Sequence, residues 1–346
     1  MNRNKIALGS ARFPVVSYNN KILDLKEIYS IIDEAYCLEI NFIDTCYHYY
    51  FGQTEVAIGL AVQHNRSEWI ISSKFNPLKM PNMNVKHIIS EQLERMKTDY
   101  IDYYGFHAVD ADMYDKIILS HCYAEQLVEL KKDGFVRKIG FSFHDTPKVL
   151  KEIIELGIPY DFVICQYNIL KNENLEVMEW LQKRDIEVIV MSPCGGGRIN
   201  ISSEVLKELQ CRTSFEVALR YVLMNRAVNY VCCGTDKCGQ ITENVSAVDR
   251  INSDFTTERV DEIVRVGKIS AEYYCSGCNY CQPCPMGIDI AHVFELANLL
   301  FSANTCSSNI PQYIPKFPCV MCKSCERMCP QNLEISSVIS RLNMYS

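Results

Sequence analysis

Two runs of cysteine in the last quarter of the chain are the residues whose spacing points most directly to a chemistry. The first run consists of Cys275, Cys278, Cys281 and Cys284, and the second of Cys319, Cys322, Cys325 and Cys329. Each run places four thiols a few residues apart and is closed by a proline. Such short gaps let the backbone curl around a cubic iron–sulfur cluster, so that each thiolate reaches one iron. The two runs therefore predict two [4Fe-4S] clusters.

The gaps within the runs also predict how the ligands are shared. The second run has gaps of two, two and three residues before its proline, as in bacterial ferredoxins, and the first run is one residue shorter in its last gap. In two-cluster ferredoxins the fourth cysteine of each run ligates the cluster of the other run. Crossing of this kind assigns one cluster to Cys275, Cys278, Cys281 and Cys329, and the other to Cys319, Cys322, Cys325 and Cys284. The short gap then does no harm, because Cys284 need not reach its own run's cluster.

Zinc and disulfides are the alternatives for these thiols. Zinc sites usually combine two separated cysteine pairs or mix cysteine with histidine, unlike four thiols in one run. Disulfides need an oxidising compartment, and the segment from Met1 to Leu8 lacks the apolar core of a secretory signal. The other ten of the 18 cysteines are scattered, where free thiols act as small hydrophobes. We therefore expect a reducing, cytoplasmic location.

A second group of chemically useful residues lies in the first half of the chain and consists of Asp44, Tyr49, Lys74 and His107. A tyrosine alone is a poor acid at neutral pH, but a buried lysine cation beside it stabilises the tyrosinate. Asp44 would keep the lysine charged and in position, and His107 would hydrogen-bond both the substrate oxygen and Tyr49. The group predicts a proton-transfer site, provided that the fold brings its members together.

The elements that must position these residues alternate between short apolar runs and amphipathic stretches. The predicted strands cover residues 6–8, 41–44, 69–74, 101–107, 139–142, 162–166, 187–191 and 229–233. The predicted helices cover residues 24–38, 52–62, 85–96, 122–132, 147–156, 175–184, 214–224 and 240–248. Eight strand–helix units in about 250 residues indicate an α/β fold, a (β/α)8 TIM barrel, whose catalytic residues lie at the C-terminal ends of the strands. The alternative, an open doubly wound sheet, would require an early Gly-x-Gly-x-x-Gly motif, which is absent.

The chain is expected to contain two domains and a connector. We predict a barrel over residues 1–250, a helical connector over 251–274 and a small α-helical, ferredoxin-like domain with two clusters over 275–346, with a helix at 291–301 inside it. The net charge of -7 and the lack of a basic stretch argue against a nucleic-acid partner. No apolar run reaches membrane-spanning length, so no membrane association is expected.

The barrel motifs resemble those of the aldo-keto reductases. The resemblance rests on Asn41-Phe-Ile-Asp-Thr45, Ser73-Lys-Phe75, Ile101-Asp-Tyr-Tyr104 with His107, and Ile139-Gly-Phe-Ser-Phe-His144. The stretch from Asp44 to Glu55 and the first cysteine run are similar to the branch of this family that carries two C-terminal four-iron clusters. The resemblance implies that Asp44, Tyr49, Lys74 and His107 form the catalytic tetrad. It also implies hydride transfer between a nicotinamide and a carbonyl or alcohol, with Tyr49 as general acid.

The resemblance extends less completely to the nicotinamide site. It implies a cofactor-binding set of Ser142, Gln166, Met191, Ser192, Gly234, Thr235, Gln240, Glu243 and Asn244. Apart from the resemblance, Gly195, Gly196 and Gly197 follow the seventh predicted strand, where TIM barrels tend to build phosphate sites, so they form either a phosphate-binding loop, which we favour, or a flexible turn. Met191 stands where the family has a stacking tyrosine, and Phe143 where it has an asparagine. Gly234 and Gln240 stand where the family has the lysine and arginine that bind the 2′-phosphate of NADPH. A 2′-phosphate binds best to cationic side chains, and neither residue is one. NADPH and NADH therefore both stay open, with flavin as a further alternative and Arg198 as a substitute cation.

Three functions follow from these features. The first is a carbonyl reductase or alcohol dehydrogenase whose clusters exchange electrons with the active site or with an electron-transfer protein partner. The second is a reductase whose clusters are structural or dock a partner, and the third is an electron-transfer protein with an inactive barrel. Because the C-terminal segment stands where this family places a substrate-contacting loop, we also expect it to fold back toward the barrel.

Overall fold

The computed structural model of the chain describes residues 3–17, 22–80, 82–197, 199, 201–250, 255–265, 275–278, 280–301, 313–329, 331 and 333–346. The chain divides into two compact units. The first comprises Met1–Tyr167, Lys171–Pro193 and Val222–Ile251, and the second Asn168–Leu170, Cys194–Tyr221 and Asn252–Ser346.

Eight parallel strands of the first unit close into a barrel. The ten strands of the described residues are β1 (Ile6–Gly9), β2 (Val15–Ser17), β3 (Ile22–Leu23), β4 (Phe42–Asp44), β5 (Ile70–Phe75), β6 (Ile101–Val109), β7 (Val136–Phe143), β8 (Phe162–Gln166), β9 (Glu187–Met191) and β10 (Val228–Gly234). The barrel order is β1, β10, β9, β8, β7, β6, β5 and β4, and β1 and β4 pair to close it. The predicted TIM barrel is therefore confirmed.

The helices follow the predicted alternation with the strands. They are α1 (Leu25–Cys37), α2 (Gln53–Val62), α3 (Val85–Met96), α4 (Ala111–Met113), α5 (Tyr123–Lys132), α6 (Pro147–Glu155), α7 (Leu175–Gln182), α8 (Ser203–Glu208), α9 (Ser214–Met224), α10 (Gln240–Asp249), α11 (Thr257–Arg265), α12 (Ile290–Phe301), α13 (Ser324–Arg327) and α14 (Ile335–Leu342). None of these described helices is long and apolar enough to cross a bilayer.

Local sequence signals explain where several helices begin. Asp24 caps α1 by accepting a hydrogen bond from the Glu27 backbone, as predicted. Thr146 caps α6, and Pro147 follows at the first helical position, where its missing N–H leaves no hydrogen bond unmade. The apolar face of α1, which includes Ile28 and Ile32, is buried.

The barrel interior is packed with side chains rather than open. Phe42, Tyr103 and Phe162 lie in one buried cluster, and the Tyr103 ring centroid is 5.1 Å from each of the other two. A glycine is required where β6 meets β7, because a Cβ added at Gly105 would lie 1.8 Å from the Gly140 carbonyl oxygen. This close approach keeps the strand that carries His107 tightly paired with the strand that carries Ser142.

Several elements differ from the sequence prediction. The antiparallel pair β2 and β3, the short helices α4 and α8, and a π-helical segment over Tyr114–Leu119 were not predicted. These pieces are two to six residues long, too short for a hydrophobic period to mark them. The predicted connector helix is α11, and the part beyond residue 265 lies outside the described residues.

In the second unit the cysteine segment is built on two helices. The apolar faces of α12 and α14 share one core that includes Ile290, Phe294 and Ile339. The helix predicted at residues 291–301 is α12, and α14 was missed although its buried residues Ile335, Ile339 and Leu342 recur at helical spacing.

Candidate active site

An ion pair between neighbouring strands forms the centre of the site. Asp44 is the last residue of β4, and Lys74 lies near the end of β5. The Lys74 Nζ donates to both Asp44 carboxylate oxygens, at 2.6 and 2.7 Å, and to the Thr45 carbonyl oxygen at 2.7 Å. Ser72 adds a 2.8 Å hydrogen bond to the same carboxylate. Both charged side chains are buried, and the surrounding hydrogen bonds compensate part of their lost hydration.

Tyr49 and His107 lie beside this pair. The Lys74 Nζ is 5.6 Å from the centre of the Tyr49 ring, within reach of its π-face. The Tyr49 and His107 rings meet edge to face, with centroids 5.7 Å apart and planes at 89°. The structure therefore brings the four predicted residues together at the C-terminal ends of β4, β5 and β6, where a TIM barrel builds its site. Their catalytic roles stay a prediction.

The two tyrosines on either side of Tyr49 have other partners. The Tyr47 hydroxyl donates to Glu91 at 2.6 Å, and the Tyr50 hydroxyl donates to the Phe13 carbonyl oxygen at 3.2 Å. Tyr50 and Phe51 adopt left-handed φ angles of 46° and 57°. This backbone is costly for residues with a Cβ. Tyr49, in contrast, has its ring beside the Lys74 cation, as the prediction of Tyr49 as the tyrosine of the site requires.

His107 is held neutral by its surroundings. Burial lowers its pKa well below the usual value of 6.5, and the Lys74 cation lowers it further. The Cys46 Sγ lies 3.2 Å from the His107 Nδ1. The next residue, Ala108, has a φ of 63°, and its N–H donates to the Ser142 Oγ at 2.8 Å. A neutral imidazole in this position is suited to hydrogen bonding rather than to carrying a positive charge.

Two further histidines near the site are also neutral at pH 7. Burial lowers the pKa of His144 to about 4, with a smaller contribution from the Lys74 charge. Burial likewise lowers the pKa of His48 to about 4, assisted by Lys79 and Arg95. The His48 Nε2 accepts a hydrogen bond from the Asn76 N–H at 3.3 Å. Neither histidine therefore adds a positive charge beside Lys74 at neutral pH.

The histidines predict acid sensitivity of the fold. The unfolded chain takes up protons on His48 and His144 below pH 6.5, whereas the folded protein does so only near pH 4. Stability should be fully retained above pH 6.5 and should decline as the pH falls from 6.5 toward 4. We expect His144→Gln to reduce the decrease in the free energy of unfolding between pH 7.5 and pH 5 by on the order of 1 kcal/mol.

Chemical denaturation of both proteins at the two pH values measures this effect. The matched control is His87→Gln, because the His87 side chain is mostly exposed on α3. An equal loss in wild type and His144→Gln would show that His144 does not hold this depressed pKa.

A buried acidic network behind β5 was missed by the sequence analysis. Glu55 accepts hydrogen bonds from Ser73 at 2.7 Å, from Gln92 at 2.5 Å and from Arg95 at 3.1 Å. Ser73 immediately precedes Lys74, so the network anchors the strand that presents the lysine. The signal in the sequence was Glu55 itself, because it is a carboxylate within the otherwise largely apolar helix α2. Burying a charged carboxylate without hydrogen-bond partners would destabilise the fold, so its presence there indicates buried partners.

Three of the predicted nicotinamide contacts lie at the ends of adjacent strands. Ser142 is in β7, Gln166 ends β8 and Met191 ends β9, with Gln166 paired in register to Met191. Ser142 is buried, and the other two are half-buried. Ser192 follows with a left-handed φ of 54°. These side chains therefore lie at the same end of the barrel as Asp44 and Lys74.

The triple glycine forms a short 3-10 turn in the second unit. Gly195, Gly196 and Gly197 have φ angles of 55°, 71° and 81°, a left-handed run that favours glycine. Arg198, the proposed substitute cation, lies outside the described residues. A phosphate-binding role for this loop stays a prediction.

The segment matched to the nucleotide-binding site is occupied by acidic side chains. Gly234 ends β10 and is followed by the buried Thr235, while Asn244 is buried and Glu243 exposed on α10. Gln240 accepts a 2.9 Å hydrogen bond from the Asp236 N–H and donates at 2.7 Å to the Asp236 carboxylate.

A carboxylate from α1 also reaches this segment. Glu34 accepts hydrogen bonds from the Gly239 N–H at 2.7 Å and the Thr242 N–H at 3.1 Å. The N-terminus of α10 favours an anion electrostatically, and the Glu34 carboxylate already accepts hydrogen bonds from backbone N–H groups there.

The eight cysteines of the two runs line two separate cavities. One cavity is lined by Cys275, Cys278, Cys281 and Cys329 together with apolar residues of α12. The other is lined by Cys284, Cys319, Cys322 and Cys325 together with Ile288, Val320 and Ile339. In each cavity three thiols come from one run and the fourth from the other, which is the grouping that the crossed pattern predicts.

The thiols are not arranged around a single metal ion. Within the part of the chain that the structure describes, no three or more His, Cys, Asp or Glu side chains are grouped closely enough to bind one ion. Backbone N–H groups of Gly277 and Met321 donate to the sulfurs of Cys275 and Cys319, both at 3.4 Å.

Comparison with known proteins identifies the barrel. Residues 5–267 match the profile of the aldo/keto reductase family, and both cysteine runs lie beyond this match. The uncharacterised oxidoreductase YqkF of Bacillus subtilis is 27% identical over 260 residues, which is 64% of this chain and 81% of that protein. The NADH-specific methylglyoxal reductase of Escherichia coli is 28% identical over 199 residues, which is 51% of this chain and 60% of that protein.

Solved structures support the same fold. An aldo-keto reductase of Bacillus halodurans superimposes with a TM-score of 0.62 at 24% sequence identity. The match covers 76% of this chain and 91% of that chain.

Proposed function

The chain belongs to the aldo/keto reductase family, and from this premise we propose that its barrel reduces a carbonyl compound with a nicotinamide cofactor, or oxidises the corresponding alcohol. The chain is an oxidoreductase of the aldo-keto reductase type. The observation that carries the finer proposal is the buried Asp44–Lys74 pair with Tyr49 and His107 beside it. A small-molecule carbonyl or alcohol is the substrate class.

The four residues divide the proton chemistry among them. A bound nicotinamide supplies or accepts the hydride. Tyr49 donates its hydroxyl proton to the carbonyl oxygen during reduction and takes it back during oxidation. The charge on Lys74 stabilises the resulting tyrosinate, and Asp44 fixes the position of the lysine. Neutral His107 hydrogen-bonds the substrate oxygen and so orients the carbonyl.

The residues present fit a dinucleotide without a 2′-phosphate. Ser142 and Gln166 would hold the carboxamide, Met191 and Ser192 would lie against the ring, and the 234–244 segment would contact the adenosine. Asp236 and Glu34 lie at the first turn of α10, and their carboxylates would repel a phosphate dianion. We therefore infer a preference for NADH over NADPH, and the NADH-specific relative from Escherichia coli is consistent with it.

A single substitution tests the basis of this preference. Gln240→Arg is expected to strengthen NADPH binding about tenfold, since it adds a cation where a 2′-phosphate would lie, and to leave NADH binding nearly unchanged. Fluorescence titration with each dinucleotide measures both dissociation constants. Gln240→Ala is the control, because it removes the hydrogen bonds to Asp236 without adding charge. Wild-type binding that favours NADPH would contradict the proposal, and binding of flavin alone would favour the flavin alternative.

The C-terminal segment is proposed to hold two [4Fe-4S] clusters with crossed ligands. Support comes from the two cavities, each lined by three thiols of one run and the fourth thiol of the other. Bound clusters supply one-electron transfer. We assign the barrel to residues 1–250, the connector to 251–274 and the cluster domain to 275–346. A cytoplasmic location and an electron-transfer protein partner stay predictions.

Coupling between the clusters and the barrel requires an intermediary. A nicotinamide moves two electrons as a hydride, whereas each cluster moves one. A flavin or a substrate radical could split the pair, and without either the clusters would serve structure or partner docking.

Anaerobic purification tests the whole proposal. Iron, sulfide and bound small molecules are measured per chain, and NADH that carries deuterium at both C4 positions is incubated with carbonyl substrates, including methylglyoxal. Deuterium in the alcohol product is the expected result. Product without deuterium would exclude direct hydride transfer. Cluster absorption that changes on adding NADH and substrate would support coupling, and unchanged absorption would favour a structural role.

A further inference from the structure

A buried thiol, Cys46, contacts the histidine of the proposed site, and the proposed mechanism gives this thiol no role. The Cys46 sulfur is 3.2 Å from the His107 Nδ1, short for a contact between sulfur and nitrogen, and Cys46 has no exposed surface. The two residues are 61 positions apart in sequence. Such a contact leaves room for only one proton between the two atoms.

The backbone around Cys46 fixes the sulfur in place. The N–H groups of Thr45 and Tyr47 donate to the Ser72 and Lys74 carbonyl oxygens of β5, both at 2.8 Å. The Cys46 carbonyl oxygen in turn accepts from the Tyr49 N–H at 3.1 Å. Cys46 is thus held between the lysine strand and the tyrosine turn, and its side chain has little freedom to leave His107.

Chemistry decides which atom carries the shared proton. Burial raises the pKa of the Cys46 thiol to about 12, so the sulfur keeps its proton at neutral pH. Sulfur is a weak acceptor, whereas the unprotonated nitrogen of a neutral imidazole is a good one. The favourable arrangement is therefore S–H donating to Nδ1.

We propose that Cys46 is a positioning residue that fixes His107 in the tautomer with its proton on Nε2. This inference rests on the proposed function, because the value of an Nε2–H donor lies in its hydrogen bond to the substrate oxygen. No atom is transferred to or from the thiol. The partner of one ring nitrogen sets the state of the other, which is how proteins commonly select a histidine tautomer.

Nitrogen NMR tests the tautomer without reference to activity. Protein with 15N-labelled histidine is examined by long-range proton–nitrogen correlation, and His107→Asn assigns the His107 signals. Wild type should show a protonated Nε2 and an unprotonated Nδ1. Cys46→Ala should move His107 toward a mixture of tautomers, and Cys46→Ser, which keeps a donor, should restore the Nε2–H form. Cys165→Ala, which removes another fully buried thiol, should leave the His107 signals unchanged.

Kinetics provide the second readout. Cys46→Ala should lower kcat/KM for carbonyl reduction about tenfold, because the substitution removes one hydrogen bond. The dissociation constant of the dinucleotide should not change. Cys46→Ser should recover most of this loss. An Nδ1–H tautomer in wild type, or a tautomer unchanged in Cys46→Ala, would overturn the inference. If the tautomers behave as expected but no carbonyl is reduced, the proposed function fails, whereas the selection of the His107 tautomer by Cys46 stands.

Discussion

Tyr49→Phe is expected to lower kcat for carbonyl reduction by about 10³-fold, within the range that a positioned general acid contributes. The substitution removes the only hydroxyl that the proposed mechanism uses for proton transfer and keeps the ring that packs edge to face with His107. Nucleotide binding should therefore change little. Steady-state rates and dinucleotide titrations on the same preparation separate the two effects.

The neighbouring tyrosines provide matched controls for this prediction. Tyr47 and Tyr50 lie within two residues of Tyr49, but their hydroxyls donate to Glu91 and to the Phe13 carbonyl oxygen. Tyr47→Phe and Tyr50→Phe should retain most of the activity. Full activity in Tyr49→Phe would favour an electron-transfer protein with an inactive barrel. A large loss of activity in Tyr50→Phe would show that Tyr50, and not Tyr49, is the general acid.

The ligand pattern of the clusters should be visible in pairs of substitutions. Cys275→Ala combined with Cys329→Ala removes two ligands from one cavity and should leave the other cluster intact, with roughly four irons per chain. Cys275→Ala combined with Cys284→Ala removes one ligand from each cavity and should leave no complete cluster.

Iron analysis and electron paramagnetic resonance of the reduced proteins distinguish these outcomes. If each run held its own cluster, the two double variants would exchange results, because Cys275 and Cys284 belong to the same run. Wild-type protein that binds zinc and lacks visible absorption would exclude the clusters altogether. Cys37→Ala is the control, since Cys37 is an exposed thiol at the end of α1.

The barrel was predictable because its signals are local. Asp24 before an amphipathic stretch marks the start of α1, and Pro147 marks the start of α6. Strand ends carrying Asp44 and Lys74 were identifiable because parallel strands buried on both faces are continuous apolar runs. The elements that escaped prediction, such as β2 and β3, are too short to show a period.

The contacts within the site were much less predictable. The spacing of Tyr49 after Asp44 predicts it as the tyrosine of the site. The partners of the neighbouring tyrosines, Glu91 for Tyr47 and the Phe13 carbonyl oxygen for Tyr50, could not be read from the sequence. The Cys46–His107 contact depends on the register between β4, β5 and β6. Likewise, the hydrogen bond from Gly239 to Glu34 joins residues 205 positions apart. Side-chain pairs of this kind follow from how strands and helices pack, and no local pattern encodes them.

The closure of the barrel has a consequence for the order in which the chain folds. The last barrel strand, β10, pairs in register with the first, so that Ile6 lies opposite Val231. The ion pair between Asp44 and Lys74 spans only 30 positions. During synthesis the Asp44–Lys74 pair can therefore form early. One edge of β1 then stays unpaired until β10, more than 200 residues later in the chain, has been made. The segment after β10, which we propose contacts the adenosine of the nucleotide, is then among the last parts of the barrel to be completed, so a stalled chain would contain the Asp44–Lys74 pair without this segment in place.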